Sequence, residues 1–444
     1  MDKKQDFTQG VIWKQLLLYF FPILIGTFFQ QLYNTVDTII VGQAVGTEAL
    51  AAVGSTGNLT NLIVYLFVGL STGATVVIAQ YYGARDDKRV SRGVHTSFAL
   101  AIISGIIMML FGLLFSKQCL SLIGVPLEIL DAATLYMKVY FLSMIPGTIY
   151  NIGSAILRAV GDSKTPLYYL IVCSIVNVVF DYIFVVIFKT GIAGAAMATD
   201  IAQLICAILV IMKLINTNDI YQLRVKEICL DFQVLKSIIR IGVPAGLQST
   251  MYSISNIVLQ THINAFGTLT IASWSVYGKI DALFWMVMSA IGSSVTTFVG
   301  QNYGAGKHDR VKRGAISGLM IALIASSIIS LLFMLFGEPI SCLFSGDMNV
   351  IEHCYSYIQF LSPFYFTYCC VEIFSGTLRG CGEALKPMLL VCIGVCVLRV
   401  IWVTFVSPLF GTFNMVIISY PMTWSVTSIL FIIYIYNYMK KRLA

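Results

Sequence analysis

The chain has 444 residues, 58% of them hydrophobic and only 11% charged, against about 25% charged in an ordinary globular domain. That balance excludes a soluble globular protein and leaves a polytopic membrane protein. The net charge of +7 is spread in short runs between apolar stretches, which excludes the clustered basic face of a nucleic-acid binder.

The first apolar segment, at about 14–43, is long enough to cross a bilayer, since some 20 helical residues span roughly 30 Å of hydrocarbon. It carries Asp37 behind a polar run of Gln30, Gln31 and Asn34, and Pro22 in its first half. An acid in a membrane helix costs about 2.5–3.5 kcal/mol, and a proline removes a backbone donor and invites a kink. Such a segment reads as a moving part with a proton or ion site. The three polar residues are expected to face inward with Asp37 or to bind a neighbouring helix.

Eleven further apolar segments follow, at about 47–80, 93–117, 127–157, 166–188, 191–214, 236–266, 269–300, 311–336, 348–378, 387–409 and 413–438. In the fifth, Asn177 and Asp181 are four apart and share a helical face. In the sixth, Asp200 either joins that site or hydrogen-bonds on the other side of its helix. The seventh and eighth carry Met251, Tyr252, Phe284, Trp285, Met286 and Met288, a stripe suited to organic cations or to a lipid-facing belt. Lys279 and Asp281 either line a cleft or make a structural contact. Glu372 in the tenth is a second candidate acid; Arg399 in the eleventh requires a partner, either Glu372, which would make that acid structural, or a headgroup. The eleven cysteines lack metal spacing and read as packing residues. The polar start, MDKKQDFTQG, lacks a cleavage site, so no removable signal peptide is expected.

Basic residues alternate from loop to loop. Lys3, Lys4 and Lys14 precede the first segment, Arg85 to Arg92 follow the second, Arg158 and Lys164 the fourth, and Lys307 to Arg313 the eighth; Lys440, Lys441 and Arg442 lie at the end. This pattern predicts that both termini face the cytoplasm, in the inner membrane of a cell. The chain also repeats. QYYGARDDKRVSRG at 80–93 returns as QNYGAGKHDRVKRG at 301–314, and LRAVGDSKTP at 157–166 returns as LRGCGEALKP at 378–387, both at an offset of 221. Pro22 and Pro244 are related by 222. The expected fold is therefore an all-α membrane protein of twelve transmembrane helices in two six-helix bundles: an N-lobe at 1–214, a cytoplasmic linker at 215–235 and a C-lobe at 236–444. Parallel repeats of this kind belong to alternating-access transporters.

YNTVDTIIVGQAVG at 33–46, the two glycine-rich loops, LRAVGDSKTP, NVVFDYIF at 177–184 and GIAGAAMATDIAQ at 191–203 together resemble the multidrug and toxic compound extrusion (MATE) family over nearly the whole chain. The resemblance implies two bundles around a V-shaped cleft and export of drugs or metabolites in exchange for protons or sodium. One branch of that family has a glutamate eight residues after the proline that matches Pro244; Tyr252 stands here instead. The chain looks more like the DNA-damage-inducible-type branch. Carried over, that branch's cation site is Asp37, Tyr136, Asn177, Asp181 and Thr199, and its bending proline is Pro22.

Two carboxylates converging in a low-dielectric bundle repel when both are ionised, so the pair either shares a proton or recruits Na⁺ through Asp37, Asn177, Asp181 and Thr199. The Asn177 amide is expected to donate to a carboxylate while its oxygen faces the cation. Gln30, Gln31, Asn34, Met251, Tyr252, Trp285, Met288 and Glu372 are candidates for substrate contact. No nucleotide loop of the G-x-x-x-x-G-K-[ST] type is present, so no cofactor is expected and an ion gradient drives transport, at about 2.3 kcal/mol per charge per 100 mV. The expected partners are a small-molecule substrate and the bilayer, not nucleic acid, with the protein a monomer. The rival readings are a lipid-linked oligosaccharide flippase, a polytopic membrane enzyme and a passive channel. None of the H-E-x-x-H or G-x-S-x-G patterns of hydrolases is found.

Overall fold

The computed structural model describes residues 5–442, with the backbone alone at 47–51, 55, 58, 59 and 61–63. Lys3 and Lys4 lie outside the described residues. Those described contain helices and no strand. The helices form twelve segments: α1 (Ile12–Ala44), α2 (Thr47–Gly83), α3 (Asp87–Leu122), α4 (Leu127–Leu142 and Met144–Ala159), α5 (Lys164–Asp181, continued by the π-helical Tyr182–Ile187) and α6 (Ile192–Ile215). After the connection come α7 (Phe232–Asn264), α8 (Thr268–Gly304), α9 (His308–Cys342), α10 (Met348–Leu361 and Tyr365–Gly380), α11 (Leu385–Leu409) and α12 (Phe413–Arg442).

Among the described residues, nine helices are long and apolar enough to cross a membrane, and α4 makes a tenth if its two parts, bent by 46°, form one span. The two that fall short have local causes. Gln248, Asn256 and the Ser and Thr residues among them, together with Lys236 and Arg240, lower the hydropathy of α7, and the 3-10 turn Ser362–Phe364, with Pro363 in it, cuts α10 into short pieces.

Packing divides the chain into two compact units, Phe21–Gly242 and Val243–Ala444, the second of which also takes Phe7–Phe20. The divisions fall inside α1 and α7, each just ahead of a proline, Pro22 and Pro244. In the second unit the Phe7 ring meets Tyr19 and Phe298 at centroid distances of 5.1 and 5.6 Å. Its N–H donates to Gln301 Oε1 at 3.2 Å, and its carbonyl accepts from Asn302 Nδ2 at 3.1 Å.

In the first unit the connection between α6 and α7 is pinned to α3. The His95 ring accepts the Arg224 N–H at 3.0 Å, and the Asp231 N–H donates to Thr96 Oγ1 at 3.1 Å. The start of α7 then packs on α2 at glycines: a side-chain carbon at Gly73 would strike the Ile238 carbonyl, and one at Gly242 would sit 2.8 Å from Leu70 Cα. The unit's core joins Val41, Phe67, Leu130, Tyr136, Met137, Phe141, Val185 and Ile192, from α1, α2, α4, α5 and α6.

The repeat is visible in the backbone. Left-handed residues recur as Gly46 and Gly267, Gly161 and Gly382, and Arg85 and Gly306. The turn glycines of the duplicated loop, Gly83 and Gly304, are still helical. The left-handed position falls two residues later, where the first copy places Arg85 at a φ of 58°.

Candidate functional site

Four helices of the first unit bring the expected cation-site residues together. Asp181 ends the α-helical part of α5, where the backbone widens to a π-helix at Tyr182; such insertions are frequent at functional sites. Its side chain is 0% exposed, Asn177 one turn earlier is 1% exposed, and Asp37 on α1 is half-buried. The Asp37 and Asp181 carboxyls lie within hydrogen-bonding reach of each other, a contact that is attractive only if one of them carries a proton. Both oxygens of Asp181, Oδ1 of Asp37 and Oδ1 of Asn177 are buried and meet no donor among the described residues.

The Asn177 amide donates to Thr199 Oγ1 at 3.4 Å rather than to a carboxylate, as the sequence suggested. Thr199 is turned to receive it because its own hydroxyl hydrogen goes back to the Ala195 carbonyl at 3.2 Å. The result is a pocket edge made of oxygens. Tyr136 completes it from α4, with Asp37, Asp181 and Asp200 all in electrostatic reach of its hydroxyl and Tyr140 stacked beside it at 6.3 Å. Asp200 therefore belongs to this cluster; its carboxyl faces Ser143 at the bend of α4, and its Oδ1 meets no donor among the described residues. No three His, Cys, Asp or Glu side chains converge closely enough to hold a metal ion among the described residues. A cation at Asp37 and Asp181 would thus draw on the neutral oxygens of Asn177, Thr199 or Tyr136.

Gln30, Gln31 and Asn34 are exposed, along with Thr38, whereas Asp37 is half-buried. Gln30 lies seven residues before Asp37 and Asn34 three before it, so both share its side of α1, while Phe21, Ile25, Phe28, Leu32 and Ile39 form a separate exposed apolar face.

The second unit holds its own polar cluster. Asp281 accepts from Trp285 Nε1 at 2.7 Å and from the Tyr365 hydroxyl at 2.6 Å, whereas Lys279 is exposed and points at the Phe344 ring. Glu372 accepts from the Tyr368 hydroxyl at 3.1 Å and lies 3.6 Å from Arg379. Arg399, for which Glu372 or a lipid headgroup was the expected partner, is turned to Asn256 and Tyr420. Tyr252 is half-buried and 3.3 Å from the Tyr368 hydroxyl. Met251 and Trp285 are half-buried, and Met288 is 0% exposed, a packing residue rather than a lining one.

A profile of the MatE family matches residues 22–183 and again 244–405, most of the chain in two halves. The protein belongs to the MATE family. Two similar proteins are the probable multidrug resistance protein YoeA of Bacillus subtilis, 26% identical over 85% of this chain and 83% of its own length, and the FAD transporter of Shewanella oneidensis, 25% identical over 89% and 88%. Crystal structures of a MATE protein in the bent and in the straight conformation share the fold. Both are 24% identical, with TM-scores of 0.90 and 0.91 over 99% of this chain and 98% and 99% of theirs. This MATE chain is accordingly a multi-pass membrane protein of the transporter type.

Sequence reasoning missed two contributors to its first-unit cluster, Tyr140 and Ser143. The signal was present in Ser143, Pro146 and Gly147, which together weaken a helix; α4 breaks at Ser143. Arg379 and Tyr368 were missed as partners of Glu372, although four- and seven-residue spacings place all three on one face of a helix.

Proposed function

We propose that the chain is a secondary active exporter that moves multidrug-type organic compounds out of the cell against H⁺ or Na⁺, with Asp37 and Asp181 as the coupling pair and Asn177, Thr199 and Tyr136 around them. The observation that carries this reading is the pairing of two acids in a span where both oxygens of the fully buried Asp181 lack a donor among the described residues. Buried carboxylates without donors are costly. They are relieved by a proton or a cation, and their state then depends on which side of the membrane supplies it. The coupling ion acts by binding one conformation better than another, and the substrate by reversing that preference.

Pro22 supplies the moving joint. It interrupts the hydrogen-bond ladder of α1 between Asp37 and the part of the helix that packs with the second unit. A protein with this fold has been seen in a bent and in a straight conformation. The lobes 1–214 and 236–444, joined by 215–235, are the bodies that alternate. The exposed amide face of α1, Gln30, Gln31 and Asn34, meets water or substrate, since amides facing lipid would be penalised. The protein works as a monomer in the inner membrane with both termini in the cytoplasm, and its site follows the DNA-damage-inducible-type branch.

The test is dye efflux from cells that carry Asp37→Asn at matched expression. Efflux should fall at least about tenfold, the size expected when an essential charge is removed. Full retention of efflux removes Asp37 from the mechanism.

A further inference from the structure

The connection between α6 and α7 carries the chain from one repeat to the other, and a histidine fastens it. His95 on α3 is 2% exposed. Its Nδ1 lies 2.7 Å from the Ser91 carbonyl oxygen, and its Nε2 lies 3.0 Å from the Arg224 backbone nitrogen. A carbonyl only accepts and a backbone N–H only donates, so Nδ1 carries the proton of the ring and Nε2 is bare. The docked connection therefore admits the neutral imidazole alone. A second proton would set N–H against N–H at the point that holds Arg224.

The partner for a protonated ring stands beside it. Glu227 Oε2 is 3.9 Å from Nε2, while its Oε1 accepts from Arg224 Nη1 at 3.0 Å. A cavity of about 330 Å³ opens against the ring, Arg92, Lys226, Glu227 and Cys229, so water reaches this seam. The other charges are placed as follows. On α3, Arg92 pairs with Asp231 of the connection at 3.6 Å. From α2 comes Tyr81, with the Arg89 guanidinium 5.9 Å from its ring centroid. At this end of their helices, α4 carries Arg158, α6 Lys213 and α7 Lys236. The ordinary titration ranges of all these groups lie outside about pH 5.5–7.5, whereas a free imidazole titrates near pH 6.5, so about the middle of that window.

We propose that His95 is a sensor of cytoplasmic pH: on acidification its ring takes a second proton, exchanges the Arg224 amide for the Glu227 carboxylate, and lets the connection lift from α3. The start of α7, seated on α2 at Gly73 and Gly242, then loses the anchor that precedes it, and transport slows. Docking needs the neutral ring, so it is complete above about pH 6.5 and is lost as the pH falls below that value. Between pH 7.5 and 5.5 the docking constant drops about tenfold. The opening of the connection stands on the geometry of His95; the side of the membrane and the slowing of transport rest on the exporter reading.

The experiment follows backbone hydrogen exchange in the full-length protein, in phosphatidylcholine nanodiscs, at about pH 7.5 and 5.5 and corrected for the intrinsic rate. Peptides covering Arg224–Asp231 should lose about tenfold of their protection at the lower pH. His95→Gln, whose amide oxygen accepts the Arg224 N–H and does not titrate, should keep the same protection at both. Glu227→Gln removes the acceptor for the protonated ring and should move the loss to lower pH; it carries the test if the His95 variant does not fold. Equal protection at both pH values in the natural protein, or the same loss in His95→Gln, overturns the sensor, as does an unmoved loss in Glu227→Gln. Dye efflux from cells with the cytoplasmic pH clamped by a weak acid reads the rate. Over the same pH step the natural protein should slow about threefold or more relative to His95→Gln, within the tenfold change in docking. Equal slowing of the two overturns the control of transport. No efflux by the natural protein at either pH refutes the exporter reading and leaves the exchange comparison standing.

Discussion

The offset of 222 that carries Pro22 to Pro244 also carries Asp37 to Leu259. In α11 the π-helical stretch Cys392–Val397 adds one residue to the repeat, so the same offset carries Asn177 to Arg399 and Asp181 to Val403. The first unit thus holds two acids where the second holds Leu259 and Val403, 2% and 0% exposed and packed with Ile263 and Val416. The tyrosine of the site is kept, since Tyr136 corresponds to Tyr357, which packs against Trp274 and Phe413. One architecture therefore accommodates either an apolar pair or an acid pair at the crossing of its first and fifth helices. The acids are not needed to build a bundle of this kind. The first unit carries acids at this crossing and the second a buried arginine, so the two halves have separated in charge.

Transplanting one pair into the other unit is the strongest way to break this comparison. The double variant Asp37→Leu/Asp181→Val copies the second unit's pair into the first. Export should be lost, while the melting temperature stays level or rises, since replacing buried ionisable pairs by packed hydrophobes is often neutral or stabilising by about 1–4 kcal/mol. Loss of folding would show instead that the acids are structural. The reverse transplant, Leu259→Asp, places a lone carboxylate beside Val403. It should cost several kcal/mol, of the order of 3 or more, read as a fall in melting temperature in detergent.

Gly242→Val sharpens the comparison at the helix starts. The start of α7 approaches α2 through Gly73 and Gly242, so a wedge there should destabilise by about 1–3 kcal/mol and shorten the thermal half-life of the protein. Asp200→Asn is the mildest change. Asp200 sits in the cluster without touching Asp37, so export should persist within about threefold, well under the tenfold of one strong interaction. The pH dependence of export should narrow, because one fewer titrating group takes part. An unchanged pH profile assigns Asp200 to helix packing.

Much of the architecture was legible because it is written in strong signals: long apolar runs, alternating basic loops and a motif repeated at a constant offset. Asp37, Asn177 and Asp181 stood out because polar residues in a span are expensive. Their convergence with Thr199 and Tyr136 was legible only through the resemblance to a family, since spacing cannot bring separate helices together. What was not legible depended on rotation and on breaks. The amides of α1 are exposed although Gln30 and Asn34 share the side of Asp37, and spacing alone does not tell exposure from burial. The bend at Ser143 was signalled by Ser143, Pro146 and Gly147 but not read, whereas the π-helical stretches of α5 and α11 leave no periodicity for a pattern to reveal. Sequence alone leaves Arg399 between Glu372 and a headgroup, and Arg379, counted as a loop charge, is the basic residue that lies beside Glu372.

The central claim is that ion movement passes through Asp37 and Asp181. The most direct test loads one set of proteoliposomes with a pH-sensitive dye and radioactive sodium, imposes a substrate gradient, and follows both ions. For the natural protein one of the two ions should move against the substrate, and for Asp181→Asn neither should. Counter-movement of H⁺ or Na⁺ in Asp181→Asn at the natural rate would contradict the account.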